Sequence, residues 1–560
     1  MTEQLRRMLA AAPFDLAPEA IDWVAATHAG LSEAEKIGQL FVISSMGFDP
    51  AEAARLKAFG PAGITRFFFG GKAEEAGFLD TLRRDAKVPP FFSADLEGSR
   101  MSLPFGAEAP NPLALAAVDD VEATRAISGL MAREAAALGL NWSFTPVIDI
   151  NRAFRSPIVA TRGFGSDVER IRAHALAAIE AFQAEGIAAT VKHWPGEGID
   201  DRDQHLVTTI NPLSLDEWEA SFGHLYRSAI AAGVKSVMSA HIALPAFVRE
   251  LWPDAGIEQF RPASVSRLLN RDLLRERLGF NGVIVSDATM MAGFGAWGPR
   301  AQMIPEVIEN GCDIILFSDD PVADAGFVAE ALKDGRLSRE RLDEALWRSL
   351  GLKASLGLHE GPRPQRPEAI GTEADRATAR AVTARAPTLV KDVQGLLPLS
   401  VERHRRIYLY TSGVVSPLHG SGPPALIGML RAEGFEVTVH DPADEALKWQ
   451  EQPWKDHDLV LYVMAEETLL SRERIFMNWQ SLTGQFLRAM ERPWHDVPCA
   501  LISFGYPYYL YDAPRMPCVI NAYATMDSMQ AAVLEALMGR ADFRGRSPVD
   551  PFCGLPDAAY

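Results

Sequence analysis

Lys192-His193-Trp194-Pro195-Gly196-Glu197-Gly198 and the Asp203-Gln204-His205 that follows put a cation, an imidazole suited to a sugar hydroxyl and an Asp-x-His pair in one stretch. Further along, Ser286-Asp287 closes a β-branched run. Cleaving a glycoside with retained configuration needs a carboxylate nucleophile on one side of the anomeric carbon and a proton donor on the other. Asp287 and His205 are residue types for those two tasks. Asp203 matters because a carboxylate bonded to one ring nitrogen fixes the tautomer and raises the basicity of the other. Taken singly, an acid at a strand end caps a following helix just as well, and a lone histidine is more often structural. As a set, these residues point to glycoside chemistry and a small carbohydrate substrate.

Such residues need rigid elements to hold them. Eight apolar runs bounded by turn signals read as strands in the first 320 or so residues: IGQLFVIS from Ile37, AGITRFFF from Ala62, PPFFSADL from Pro89, LNWSFTPVIDI from Leu140, IAATVKHW from Ile187, VKSVMSAHI from Val234, NGVIVSD from Asn281 and CDIILFS from Cys312. Helical segments such as DDVEATRAISGLMAREAAALG separate most of them. Eight strands alternating with helices predict a TIM-like (β/α)8 barrel. Asp95, Asp149, Lys192, His193, His241 and Asp287 all fall at the ends of the runs, which in such a barrel form the active-site face.

The pattern breaks at GLHEGPRPQRPEAIG, residues 357–371, a linker by its glycines and prolines. The expected division is a catalytic barrel over 1–356, the linker, and a C-terminal α/β sandwich-like domain over 372–560. In that last part Arg376 to Ala386 reads as a helix, and IYLY, FEVTVH, DLVLYVM, CALISF and CVINAYA read as strands.

Composition narrows the partners. The chain has 560 residues, 48% of them hydrophobic and 23% charged, as in an ordinary globular protein. A net charge of -18 argues against a nucleic-acid partner, which needs clustered Lys and Arg. No run approaches membrane-spanning length. The N-terminal patch is broken by Pro13, Asp15 and Pro18, unlike a secretory core. Cys312, Cys499, Cys518 and Cys553 are scattered without metal-ligand spacing, so a reduced cytoplasmic setting and no metal are expected. Gly293-Phe294-Gly295-Ala296-Trp297-Gly298 fits G-x-G-x-x-G, but five residues separate it from Asp287 at the strand end and the tight phosphate turn is missing. Gly420-Ser421-Gly422 lacks the Lys-Ser/Thr of a phosphate loop. No cofactor is expected.

From about Ser32 onward the chain resembles glycoside hydrolase family 3, in particular its β-N-acetylglucosaminidase branch. Lys192 to Gly198 is similar to the family's Lys-His-Phe-Pro-Gly-His-Gly motif, with Trp194 and Glu197 substituted. The spacing of His193 and His205 is that of the branch. The resemblance implies His205 as acid/base, Asp203 as its partner and Asp287 as nucleophile. Ser93 to Gly98 looks like the branch's Asp-x-Glu-Gly loop and Thr161 to Gly165 like its Arg-Ser-Phe-Gly loop. They imply Asp95 and Arg162 as sugar contacts beside Lys192 and His193.

Three departures bear on specificity. Ser99 replaces a second Gly, Leu103 stands where single-domain cell-wall enzymes carry a sugar-binding Arg, and Glu197 replaces a His. A lost cation and a gained anion argue against an acidic muropeptide substrate. Second-domain candidates for missing contacts are Glu466, Glu467, Arg472 and Arg474, which a solvated helix start would explain equally. The implied activity is a retaining exo-acting β-N-acetylglucosaminidase. The alternatives are a β-glucosidase with a second-domain carboxylate as acid/base, a phosphorylase, since a neutral histidine repels phosphate less than a carboxylate does, and a catalytically inactive carbohydrate-binding homologue.

Overall fold

The computed structural model describes residues 3–416, 420–444 and 452–560. Each of the eight predicted runs matches one barrel strand, the first of which extends one residue past its run: β1 (Phe41–Ser45), β2 (Gly63–Arg66), β3 (Phe91–Ala94), β4 (Trp142–Ser143), β5 (Ala188–Trp194), β6 (Ser236–Ser239), β7 (Val283–Ser286) and β8 (Ile315–Leu316). All neighbours are parallel, in the order β8-β1-β2-β3-β4-β5-β6-β7. A bridge between Val285 and Ile314 brings β7 against β8 and closes the ring. The strands are buried on both faces, which is why they read as continuous apolar runs rather than as alternation.

Between the strands, α1 (Val121–Leu138) starts where the Asp120 side chain accepts from the amides of Glu122 and Ala123, and stops at Gly139 with φ 107°. The next helix, α2 (Val168–Ala184), is capped by Asp167. Trp142 fills the barrel interior, its indole N–H donating to Thr190 Oγ1 at 2.8 Å and Ser236 Oγ at 2.9 Å. The run from Leu140 is longer than its strand because only Trp142 and Ser143 pair as strand. Pro146 has no N–H for a ladder, and the chain beyond it turns to the barrel mouth, touching β5 through a bridge from Val147 to Lys192.

The C-terminal domain is a mixed sheet of β9 (Thr388–Asp392), β10 (Arg406–Ser416), β11 (Gly420–Gly422), β12 (Glu436–Val439), β13 (Leu459–Glu466), β14 (Cys499–Ser503) and β15 (Cys518–Asn521). Its order is β9-β15-β14-β13-β10-β11, with β12 also on β10. Its parallel centre is the set of apolar runs predicted. The antiparallel edges β9 and β11 were not predicted, since Thr388–Asp392 is half exposed and charged and β11 is two glycines around a serine. Residues 357–371 lie along the barrel. Gln365 Nε2 donates to the carbonyls of Ala76 and Leu138, and the Gly371 amide to Glu134.

Candidate active site

The strand C-termini open into a cavity of about 300 Å³ lined by Asp95, Arg162, Lys192, His193, His205 and Asp287 together. Six of the seven expected site residues therefore meet at one mouth. The seventh, Asp203, lies behind His205: its Oδ1 accepts from the ring Nδ1 at 2.7 Å and from the His205 amide at 2.8 Å. The carboxylate can only accept, so the ring proton sits on Nδ1 and Nε2 is left to exchange protons with the cavity. The loop is braced from behind by the glycine run after β7. The Ala292 amide donates to the His205 carbonyl, and Thr208 Oγ1 to the Gly293 carbonyl.

Asp287 follows β7 directly, and its amide donates to the Ser239 carbonyl on β6, which fixes the backbone that presents it. Burial works against its anion, yet the imidazoles of His241, His193 and His205 bring its carboxyl below the usual aspartate range. His241 is itself buried, which lowers its pKa, and it is tied to Ser264 Oγ and the Ala288 carbonyl.

The polar wall is a network of charges. Lys192 Nζ lies 2.7 Å from Asp95 Oδ1 and 2.8 Å from Glu97 Oε1. Arg162 grips both Glu97 oxygens at 2.8 and 2.9 Å and donates to His193 Nε2 at 3.3 Å. His193 must then carry its proton on Nδ1, which donates to Asp149 Oδ2 at 2.6 Å. Burial opposes all these charges. Despite it, Arg162 and Lys192 hold Glu97 ionised well below the ordinary range, and Asp95 and Glu97 raise Lys192. Glu97 and Asp149 thus organise the wall; the available signals were the run end for Asp149 and the resemblance to the Asp-x-Glu-Gly loop for Glu97.

Glu197 behaves in the opposite way. Burial first, then the nearby Asp149, Asp287 and Asp203, push its carboxyl well above the usual range against the pull of Arg162. It accepts from Gln204 Nε2 at 3.0 Å, and its Oε1 has no partner. Asp149, His193 and Glu197 could bring ligand atoms within 4.8 Å of one another around a cation, but the first two are engaged with each other.

Of the second-domain candidates, Glu467 reaches the cavity together with Val415, Thr468 and Leu470. Its Oε1 accepts from Ser99 Oγ, the Thr525 amide and Thr525 Oγ1, and its Oε2 lies 3.3 Å from Asn111 Nδ2. Glu466 points elsewhere, accepting from Tyr509 OH inside its own domain. Neither Arg472 nor Arg474 lines the cavity, whereas Arg100 does, held to Thr525 Oγ1 at 2.7 Å. Leu103 is buried in the core. Arg100 was missed because an exposed arginine beside a turn carries no signal of its own.

The model of the glycosyl hydrolase family 3 N-terminal domain matches residues 33–352. The chain is 41% identical over 563 residues to a β-N-acetylglucosaminidase/β-glucosidase of Cellulomonas fimi, covering 98% of this chain and 99% of that one. The chain belongs to glycosyl hydrolase family 3. Within the family, it is 32% identical over 307 residues to a β-hexosaminidase of Stenotrophomonas maltophilia (strain R551-3), covering 53% of this chain and 83% of that one. Among solved structures, a β-glucoside phosphorylase, BglX, bound to 2FGlc aligns with a TM-score of 0.90 at 34% identity, over 98% of this chain and 100% of that one. A family 3 β-N-acetylglucosaminidase of Paenibacillus sp. str. FPU-7 has a TM-score of 0.81 at 24% identity over 94% and 100%, a likeness of fold. This family 3 chain is thus a glycoside hydrolase by descent, with a barrel and a C-terminal domain that both reach the cavity.

Proposed function

We propose that the protein is a retaining, exo-acting β-N-acetylglucosaminidase. Asp287 attacks the anomeric carbon, and His205 protonates the leaving oxygen and then deprotonates the incoming nucleophile. Asp203 orients His205, and Asp95, Arg162, Lys192 and His193 bind the terminal sugar. The observation that carries this reading is the Asp203–His205 pair on the cavity that also holds Asp287. Glu467, the alternative acid/base, already accepts bonds from Ser99, Asn111 and Thr525, which leaves little room for an aglycone oxygen. Phosphorolysis is the second reading, favoured by the likeness to BglX and by a histidine acid/base that adds no negative charge against phosphate.

An aryl β-glycoside panel, assayed with and without phosphate, separates these. A higher kcat/KM for the N-acetylglucosaminide than for the glucoside is expected, by roughly ten- to two-hundredfold, since a small apolar substituent contributes only a few kcal/mol. A rate that depends on phosphate selects phosphorolysis, and a preference for the glucoside selects a β-glucosidase. Asp287→Ala should abolish turnover by folded protein, and near-wild-type rates would reject the nucleophile.

The division into 1–356, 357–371 and 372–560 is offered as the functional one. A cytoplasmic setting is supported by four buried, unpaired cysteines. Among the described residues no helix is long and apolar enough to cross a membrane.

A further inference from the structure

The cavity has two unlike halves, and the ring order separates them. Asp95, Glu97 and Arg162 come from the segments after β3 and β4, and Lys192 and His193 from the end of β5 itself. Facing them, the neighbouring strands β7, β8, β1 and β2 deliver Met290, Met291, Phe317, Met46 and Phe67, and the C-terminal domain adds Leu470. Of the cavity-lining residues on those four strands and the loops after them, Asp287 alone is charged, and Ser44 adds the one hydroxyl. Phe67 and Phe317 face each other with ring centroids 5.9 Å apart. Met46 is 48% exposed, Met290 47% and Leu470 37%. Scattered exposed apolar side chains are ordinary, but a contiguous set rimming a cavity marks a binding surface.

We propose that this half is the leaving-group subsite and that it selects an apolar aglycone, an alkyl or aryl group, over a second sugar or a peptide-bearing fragment. The proposal rests on the glycosidase reading above and deepens it. The charged wall supplies hydroxyl partners for one terminal pyranose. A second sugar laid on the opposite wall would give up hydration of its hydroxyls for methionine and phenylalanine, with the Arg100 guanidinium near Phe67 and the Ser44 hydroxyl as the few polar groups to replace it. An alkyl chain or aromatic ring loses nothing polar there and removes the apolar rim from water. Unbranched thioethers also adapt to aglycones of different shape, which suits a class of glycosides rather than a single one.

The test is binding of methyl, butyl and hexyl β-N-acetylglucosaminides and the matching glucosides to full-length Asp287→Ala protein by calorimetry. Affinity should rise about two- to fourfold per methylene over the first few carbons. Hexyl N-acetylglucosaminide should also bind more tightly than N,N′-diacetylchitobiose. Placing Met46→Gln and Met290→Gln in the same background should flatten the gradient. Equal affinity from methyl to hexyl, or tighter binding of the disaccharide, overturns the subsite. If the gradient holds but glucosides bind better at every chain length, the sugar assignment falls and the apolar subsite stands. If N-acetylglucosaminides bind better with no gradient, the reverse follows.

Discussion

Asp287 and His205 share a cavity but depend on different supports. Asp287 is held by the β-sheet itself, through its amide and the Ser239 carbonyl, while His205 hangs on a loop and takes its orientation from Asp203. His205→Ala should therefore act on the chemistry in a graded way. The loss should be on the order of a hundredfold or more for poor leaving groups and much smaller for activated ones at the glycosylation step. Asp203→Ala should reproduce a weaker form of the pattern. Equal losses across leaving groups of very different acidity, with glycosylation rate-limiting, would remove the acid role from His205.

Glu197 gives a second residue-scale expectation, this time in stability. Its folded pKa is raised by burial and by Asp149, Asp287 and Asp203, so the folded state holds the proton more tightly than the unfolded chain. Folding free energy is then lost as pH rises from the ordinary glutamate value of about 4.3. Gln cannot ionise, so Glu197→Gln should gain in Tm relative to wild type between about pH 5 and pH 8. A difference that stays constant, or wild type gaining at the higher pH, would mean that Glu197 is ionised in the folded protein.

At the scale of elements, the glycine run after β7 is a brace. A Cβ on Gly293 would stand 2.3 Å from the Gln204 carbonyl oxygen and 2.8 Å from that of Val207, so Gly293→Ala must push the loop that carries His205. The short helix Ala292–Gly295 would gain propensity from Ala, but backbone overlap outweighs a gain of about 1 kcal/mol. We expect kcat/KM for poor leaving groups to fall on the order of ten- to a hundredfold, with Asp287 still open to a slow 2-fluoro glycoside label. Wild-type kinetics would show that the brace gives way. The same run illustrates what sequence could and could not reveal. Its spacing from Ser286-Asp287 excluded a phosphate turn, but its packing on residues 204–208 depends on two loops 85 or so positions apart. All eight barrel strands were legible because buried parallel strands are unbroken apolar runs. The edges β9 and β11, half exposed or glycine-built, offer no such pattern. Asp203 and Asp287 were legible from residue type and placement and the charged wall from the family resemblance, whereas Arg100 and the methionine rim become meaningful only once the ring order sets them around one cavity.

For the whole molecule, the question is whether the C-terminal domain completes the site or merely packs beside it. The Ser471 amide donates to Asp203 Oδ2 at 2.9 Å, so the second domain holds the residue that holds His205. The Thr468 hydroxyl reaches the Ile158 carbonyl and the Leu469 amide reaches that of Pro157, which fixes the same loop against the barrel. Glu467 ties Ser99 and Asn111 of the barrel to Thr525, and Thr525 in turn holds Arg100. Removing the Glu467 carboxylate leaves several buried donors without an acceptor, at a cost of about 2 kcal/mol or more. Glu467→Ala should therefore lower Tm and also kcat/KM, by a similar factor for good and poor leaving groups, because geometry is lost rather than a proton donor. Glu466 is the internal control. Its carboxylate serves Tyr509 within one domain, so Glu466→Gln should alter stability while leaving kinetics close to wild type. Thermal unfolding and leaving-group series on both variants decide the matter. Kinetic loss at Glu466 without loss at Glu467 would sever the domain coupling. A loss at Glu467 confined to poor leaving groups would instead transfer the acid/base role to the second domain.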